Sequence, residues 1–181
     1  VTHLEPYGAF VDIGCGVPSL IPLKAISVSR ITHPSCRFQP GQQIYAMVRE
    51  VLPDQRRIQL SHKELLGTWF ENAKRFVAGE TVTGIVRSVM DYGIFVELAP
   101  NLTGLAEPLE GFQVGDAVSV YIKSILPEKQ KIKLAIIAHA APLPHPLPLA
   151  YTCTQGHLEN WRYSDEATLA LPPESSLSPS P

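Results

Sequence analysis

The heptapeptide Y-G-I-F-V-E-L at Tyr92–Leu98 has an earlier copy, Y-G-A-F-V-D-I at Tyr7–Ile13, 85 residues upstream and matched in residue type at every place. A Tyr-Gly turn followed by β-branched and aromatic residues reads as a strand entered from a tight turn. Two further segments repeat at an offset of 74: F-Q-P-G-Q-Q-I at Phe38–Ile44 with F-Q-V-G-D-A-V at Phe112–Val118, and V-L-P-D-Q-R-R-I-Q-L at Val51–Leu60 with I-L-P-E-K-Q-K-I-K-L at Ile125–Leu134. The difference of 11 residues between the offsets is an insertion in the first copy, within Leu23–Arg37. Self-similarity of this kind makes the chain a repeat of one small unit.

The second copy shows what that unit is. Thr81–Val89 alternates and is β-rich, Asp91-Tyr92-Gly93 turns, Ile94–Leu98 is a strand, and Leu105–Glu107, Ala117–Leu126 and Lys131–Leu134 supply the rest. Five short strands at this spacing predict a small closed or partly open β-barrel. Val1–Leu4 aligns with Val86–Val89, so the first copy lacks a counterpart of Gly79–Ile85, and an N-terminal truncation of the first barrel is expected. Between the copies, apolar residues at 65, 66, 69, 70, 73 and 76 have helical spacing, with Gly79 as the stop.

Of 17 prolines, eight follow residue 140, and the A-P-L-P-H-P-L-P run from Ala141 to Pro148 predicts an extended spacer. Beyond it, Tyr151–Tyr163 reads as a short hairpin with Trp161 and Tyr163 on one face, and the end, S-S-L-S-P-S-P, reads as disordered. The expected organisation is a barrel lacking its first strand over 1–62, a linker helix over 63–78, a complete barrel over 79–138, a proline-rich linker over 139–150, and a hairpin with a disordered tail over 151–181.

With 15 Lys and Arg against 17 Asp and Glu, the net charge of -2 provides no global polycation for nucleic acid. The acidity is local: residues 1–138 carry 14 basic and 13 acidic side chains, and the remainder carries 1 and 4. No apolar run has the length of about 18 residues that a membrane helix needs, and a cytoplasmic protein is expected. Cys15, Cys36 and Cys153 lie far apart with no C-x-x-C pair, and His3, His33, His139, His145 and His157 are scattered. Neither a disulfide framework nor a metal site follows from that spacing. Ser61 and His62 near Asp54 and Glu64 lack the framing of a catalytic set, so no enzymatic activity and no cofactor are expected.

In order, G-x-x-V-x-G-x-V at Gly79–Val86, D-Y-G-I-F-V-E-L, N-L-T-G-L-A-E-P at Asn101–Pro108, F-x-x-G-x-x-V at Phe112–Val118 and K-I-K-L-A at Lys131–Ala135 resemble the S1 family of RNA-binding domains. Copy one repeats much of this order and closes as R-R-I-Q-L-S-H-K at Arg56–Lys63, so the resemblance covers about residues 1–137. It implies a mainly β protein of two tandem five-stranded barrels of the oligonucleotide-binding fold, the first truncated, joined by a short helix. It implies single-stranded RNA, such as mRNA, as partner, and work at the ribosome in translation. Carried over residue by residue, the RNA-contacting aromatics are Tyr7 and Phe10 in copy one and Tyr92 and Phe95 in copy two, with Arg57 and Lys131 as the basic residues ahead of the last strand. Strand alternation alone does not place Tyr92 and Phe95 on one face. Arg56, Lys63, Lys129 and Lys133 complete a local basic rim.

Two positions depart from the family's pattern in both copies. Its frequent histidine is Glu107 in copy two and Pro22 in copy one, and its aspartate before the last strand gives way to Leu52-Pro53 and Leu126-Pro127. An acid repels phosphate and a proline cannot donate, which opens the alternative of a protein-docking module of the ribosome or of RNA decay with degenerate RNA sites; the missing first strand allows another, the S1 portion of a larger enzyme.

Overall fold

A computed structural model describes residues 1–29, 31–143, 147–158 and 161–164. The chain is mainly β. The first unit contains β1 (His3–Glu5), β2 (Gly8–Val11), β3 (Ser19–Pro22), the single helical turn α1 (Leu23–Ile26), β4 (Met47–Leu52) and β5 (Arg57–Ser61). Its strands form an open five-stranded sheet in the order β1-β2-β3-β5-β4, antiparallel except for β3 beside β5. The second unit contains β6 (Thr81–Met90), β7 (Gly93–Ala99), β8 (Leu102–Ala106), β9 (Ala117–Leu126) and β10 (Lys131–His139), closed into a barrel in the order β10-β8-β7-β6-β9.

Period-2 alternation places one face of each strand in the core. Val118, Val120 and Ile122 of β9 and Ile132 and Leu134 of β10 point inward with Ile94 and Val96 of β7. Ala9, Ile21, Phe38 and Leu60 do the same in the first unit. The repeated Tyr-Gly turn is sterically dictated: a Cβ on Gly8 would lie 2.4 Å from the Ile21 carbonyl oxygen, and one on Gly93 2.6 Å from that of Ala106. Only glycine lets these strands approach so closely.

Closure depends on one strand. In β6, Thr81–Ile85 pairs with β9 and the remainder pairs with β7. In β1, His3–Glu5 pairs with β2, and among the described residues no strand covers the free edge of β4. The first strand of the first unit is thus shortened to three residues, not missing outright.

Two sequence expectations require correction. The stretch 63–78 is not one helix: a 3-10 turn, Lys63–Leu66, ends at Gly67 in the left-handed region (φ 89), and a separate α2 covers Trp69–Ala73. Thr68 starts that helix, its hydroxyl accepting from the Glu71 amide while the Glu71 carboxylate accepts from the Thr68 amide. The segment read as a hairpin holds no strand among its described residues. Its polar groups pair with the segment between the two units instead: the Thr152 amide donates to the Leu65 carbonyl (2.8 Å), and the Tyr163 carbonyl accepts from the Trp69 amide (2.9 Å). An isolated hairpin is marginal, and docking supplies both hydrogen-bond partners and apolar cover. The end that reads as disordered lies outside the described residues, as do Pro144–Pro146 in the spacer.

The insertion joins the two units. Ser27 donates to the Pro100 carbonyl (3.3 Å), the Val28 amide approaches Asn101 Oδ1 (3.5 Å), and the Ser29 and Thr103 hydroxyls share a hydrogen bond. Asn101 in turn donates to the Lys63 and Gly67 carbonyls, 2.9 Å each, and its own carbonyl accepts from the Tyr163 hydroxyl. At the centre of the joint, buried Arg37 places Nη2 2.6 Å from Glu97 Oε1, and Arg87 contacts the other Glu97 oxygen. Burial pushes the Arg37 guanidinium below its ordinary range, with Glu97 opposing that shift.

Candidate nucleic-acid interface

The strand registers place the two sets of sequence-assigned aromatics in the same geometry. Tyr92 occupies the β6–β7 turn with 65% of its surface exposed, Phe95 stands on β7, and their rings meet edge to face with centroids 6.1 Å apart. Tyr7, 59% exposed in the β1–β2 turn, meets Phe10 of β2 edge to face at the same 6.1 Å. An edge-to-face pair favours the aromatic quadrupoles and leaves ring surface open to a third aromatic.

A row of outward side chains runs across each unit through the phenylalanine. In the second unit it reads Ser88, Phe95, Leu105, Lys133, Ser124, from β6 to β9. In the first it reads His3, Phe10, Leu20, Gln59, Glu50, from β1 to β4. Their strand neighbours Ile94, Val96 and Ala106, or Ala9, Val11 and Ile21, are buried, so alternation makes this the outer face.

His3 lies flat on Phe10, ring centroids 4.4 Å apart and 14° between planes, which extends the first platform by one ring. Sequence reasoning misses His3, because only the β1–β2 register shows that it opposes Phe10. Lys133 is the cation in the row of Phe95, and it lines a cleft of about 230 Å³ with Tyr92, Leu105, Glu107 and Lys123. Lys131, the residue assigned from the sequence, is the first of β10, opposite Leu126, and lies one pleat beyond that cleft. Arg57 likewise opens β5 opposite Leu52. It lines a separate cleft with Gly16, Val17 and Pro18, at the end of the face away from Tyr7.

Electrostatics separate the two faces. Lys123 donates to Glu107 at 2.8 Å, and this bond, with the ammonium charge, holds the Glu107 carboxyl below its usual range. In the first unit the equivalent pair is Pro22 and Arg49. There Lys24, Arg49 and Lys63 line a cleft of about 400 Å³ that also contains Glu50, and among the described residues none of the three cations is ion-paired. Among the described residues, no group of three His, Cys, Asp or Glu side chains is placed to hold a metal ion. No helix there is long and apolar enough to cross a membrane.

Exposed aromatics bordered by cations are the kinds of group on which single-stranded nucleic acids stack and neutralise their phosphates. Residues 1–63 match the family model described as the S1 RNA binding domain. The chain as a whole is similar to bacterial ribosomal protein bS1. It is 32% identical to small ribosomal subunit protein bS1 of Staphylococcus epidermidis, over 93% of this chain and 46% of the relative. It is also 32% identical to bS1 of Coxiella burnetii, over 75% of this chain and 27% of the relative. The chain thus spans less than half the length of these relatives. Among solved structures, an uncharacterized protein of Methanocaldococcus jannaschii is 29% identical over 34% of this chain and 93% of its own, with a TM-score of 0.33.

Proposed function

We propose that the chain is a non-enzymatic binder of single-stranded RNA that uses two S1-type units in tandem, one closed into a barrel and one an open sheet, and works in translation at the ribosome, in the cytoplasm. The observation that carries this reading is the duplicated platform: Tyr7 with Phe10 and Tyr92 with Phe95, each pair at 6.1 Å on an outer face. Bases stack on such rings at about 1–3 kcal/mol each, with little dependence on sequence. The cations follow the backbone, and tethering two modest sites raises avidity by about 10² to 10⁴ when one RNA reaches both. The likeness to bS1 supports the ribosomal setting.

Titration of fluorescein-labelled oligouridine against the wild type, Phe10→Ala, Phe95→Ala and the double variant tests this. Each single variant is expected to lose roughly fivefold to hundredfold in affinity. If all variants stay folded and bind like the wild type, stacking on this face is wrong. A second reading, a protein-docking module, is favoured by the Glu107–Lys123 pair, which withdraws a cation and adds an acid on the second face. A ribosomal partner captured with no RNA affinity at all would select it.

A further inference from the structure

The insertion and the folded-back tail enclose a cleft of about 630 Å³ that the repeated platforms do not use. Trp161 and Tyr163 form one wall, and Leu23, Ile31 and the hydroxyl-bearing Ser29 and Thr32 belong to the other. Lys24 and Lys63 line it, and both also line the Arg49 cleft of the first unit, so the two depressions share a basic ridge. No acidic side chain lines it among the described residues. The Leu23 amide donates to the Tyr7 carbonyl at 2.9 Å, so the cleft begins where the first platform ends.

We propose that this cleft is a further nucleotide site: it takes one base of single-stranded RNA against Trp161, with the adjoining phosphates against Lys24 and Lys63. The proposal rests on the RNA reading above and extends it to residues outside the repeat. A partly exposed indole supplies the stacking face, and the lysines supply point charges in a cleft that no acid lines among the described residues. The strand crossing Phe10 and Tyr7 passes Leu23 and the Lys24–Lys63 ridge and ends on Trp161. The charge of the cleft favours a polyanion over an apolar peptide.

The test uses the 181-residue chain and an oligouridine of about 24 nucleotides, long enough for more than one site. In protein labelled with 5-fluorotryptophan, Trp69 and Trp161 give separate fluorine resonances, and Trp161→Phe identifies the second. RNA is expected to shift the Trp161 resonance and to leave that of buried Trp69 in place. Trp161→Ala is expected to weaken binding roughly fivefold to hundredfold, with most of the loss recovered by Trp161→Phe. Lys24→Gln with Lys63→Gln leaves the tail aromatics intact and is expected to lower the slope of log affinity against log salt by about 0.7 for each phosphate that is no longer neutralised.

If Phe95→Ala weakens binding while the Trp161 resonance, the Trp161→Ala affinity and the salt slope all remain unchanged, the cleft is not an RNA site and the repeated platforms stand alone. A wild type with no RNA affinity overturns the parent reading and this one together. A Trp161 resonance that moves with a ribosomal protein and not with RNA overturns the cleft in favour of protein docking.

Discussion

Val48 and Ile122 occupy the same place in the repeat, yet Val48 is 57% exposed and Ile122 is fully buried. Val48 stands on β4, whose outer edge has no partner among the described residues, whereas Ile122 stands on β9, paired with both β6 and β10. One unit is a closed barrel and the other an open sheet, although their strands read alike. β6 pairs with both β7 and β9, whereas β1 pairs with β2, and the strand beside β9 changes the burial of a residue on a different strand. The open unit is held from outside: by the insertion, by the ion cluster at Glu97, and by a tail that seats Leu149 on its core and Tyr151 on His62.

The largest way to break the pairing of the two units is Glu97→Ala. It leaves Arg37 and Arg87 buried without their carboxylate, and a loss of about 3–5 kcal/mol is expected in urea unfolding. The open unit should lose protection first in hydrogen exchange, since Arg37 ties it to the closed barrel.

Next in size is a pH dependence confined to one copy. His62 is buried where the second copy has Ile136, its Nδ1–H donating to the Ile26 carbonyl and its Nε2 accepting from the Tyr151 hydroxyl (2.9 Å). Burial pulls its pKa down to about 4, with nearby Arg37 acting in the same direction. The unfolded chain takes up the proton from about pH 6.5 downward and the folded chain resists it, so stability should fall as pH drops from 6.5 to 4 and level off below. The expected loss is roughly 3 kcal/mol, and His62→Gln should flatten that part of the profile in pH-resolved denaturation.

A smaller effect sharpens the contrast between the faces. Phe10→Ala should cost less RNA affinity than Phe95→Ala, because His3 remains on that outer face as a stacking surface while Ser88 stands at that place in the second unit. Equal losses, measured by fluorescence anisotropy, would make His3 irrelevant. The smallest effect is Glu107→Gln, which frees Lys123 and should raise the salt slope of RNA binding by about 0.7 at most. Pro22→Glu, which would give Arg49 an acid, should move the first unit the other way.

Much of this was legible beforehand. The order and type of the strands in both copies follow from alternation and turn residues, which act within a few residues. Tyr7, Phe10, Tyr92 and Phe95 are outer-face candidates through the resemblance to the S1 family, since strand alternation alone does not put a turn residue and the residue three places later on one face. Lys133, Arg49 and His3 are different. Each joins the face through a partner 7 to 28 residues away, and register across strands is not written in any one of them. The helix over 63–78 is misjudged because apolar spacing continues through Gly67, where the backbone breaks. The hairpin at 151–163 is misjudged because turn chemistry says nothing of a neighbouring surface that offers better partners.

The sequence by itself therefore determined a duplicated β unit with an aromatic turn and strand, since local propensity and periodicity act along the chain. Tertiary structure alone decided which cations and which histidine join the two faces. It also turned the insertion into a bracket on the second barrel and folded the proline-bounded tail back to place Trp161 beside two lysines. Those outcomes depend on burial, charge pairing and hydrogen bonds between segments far apart in sequence, and such terms exist only once the chain has met itself.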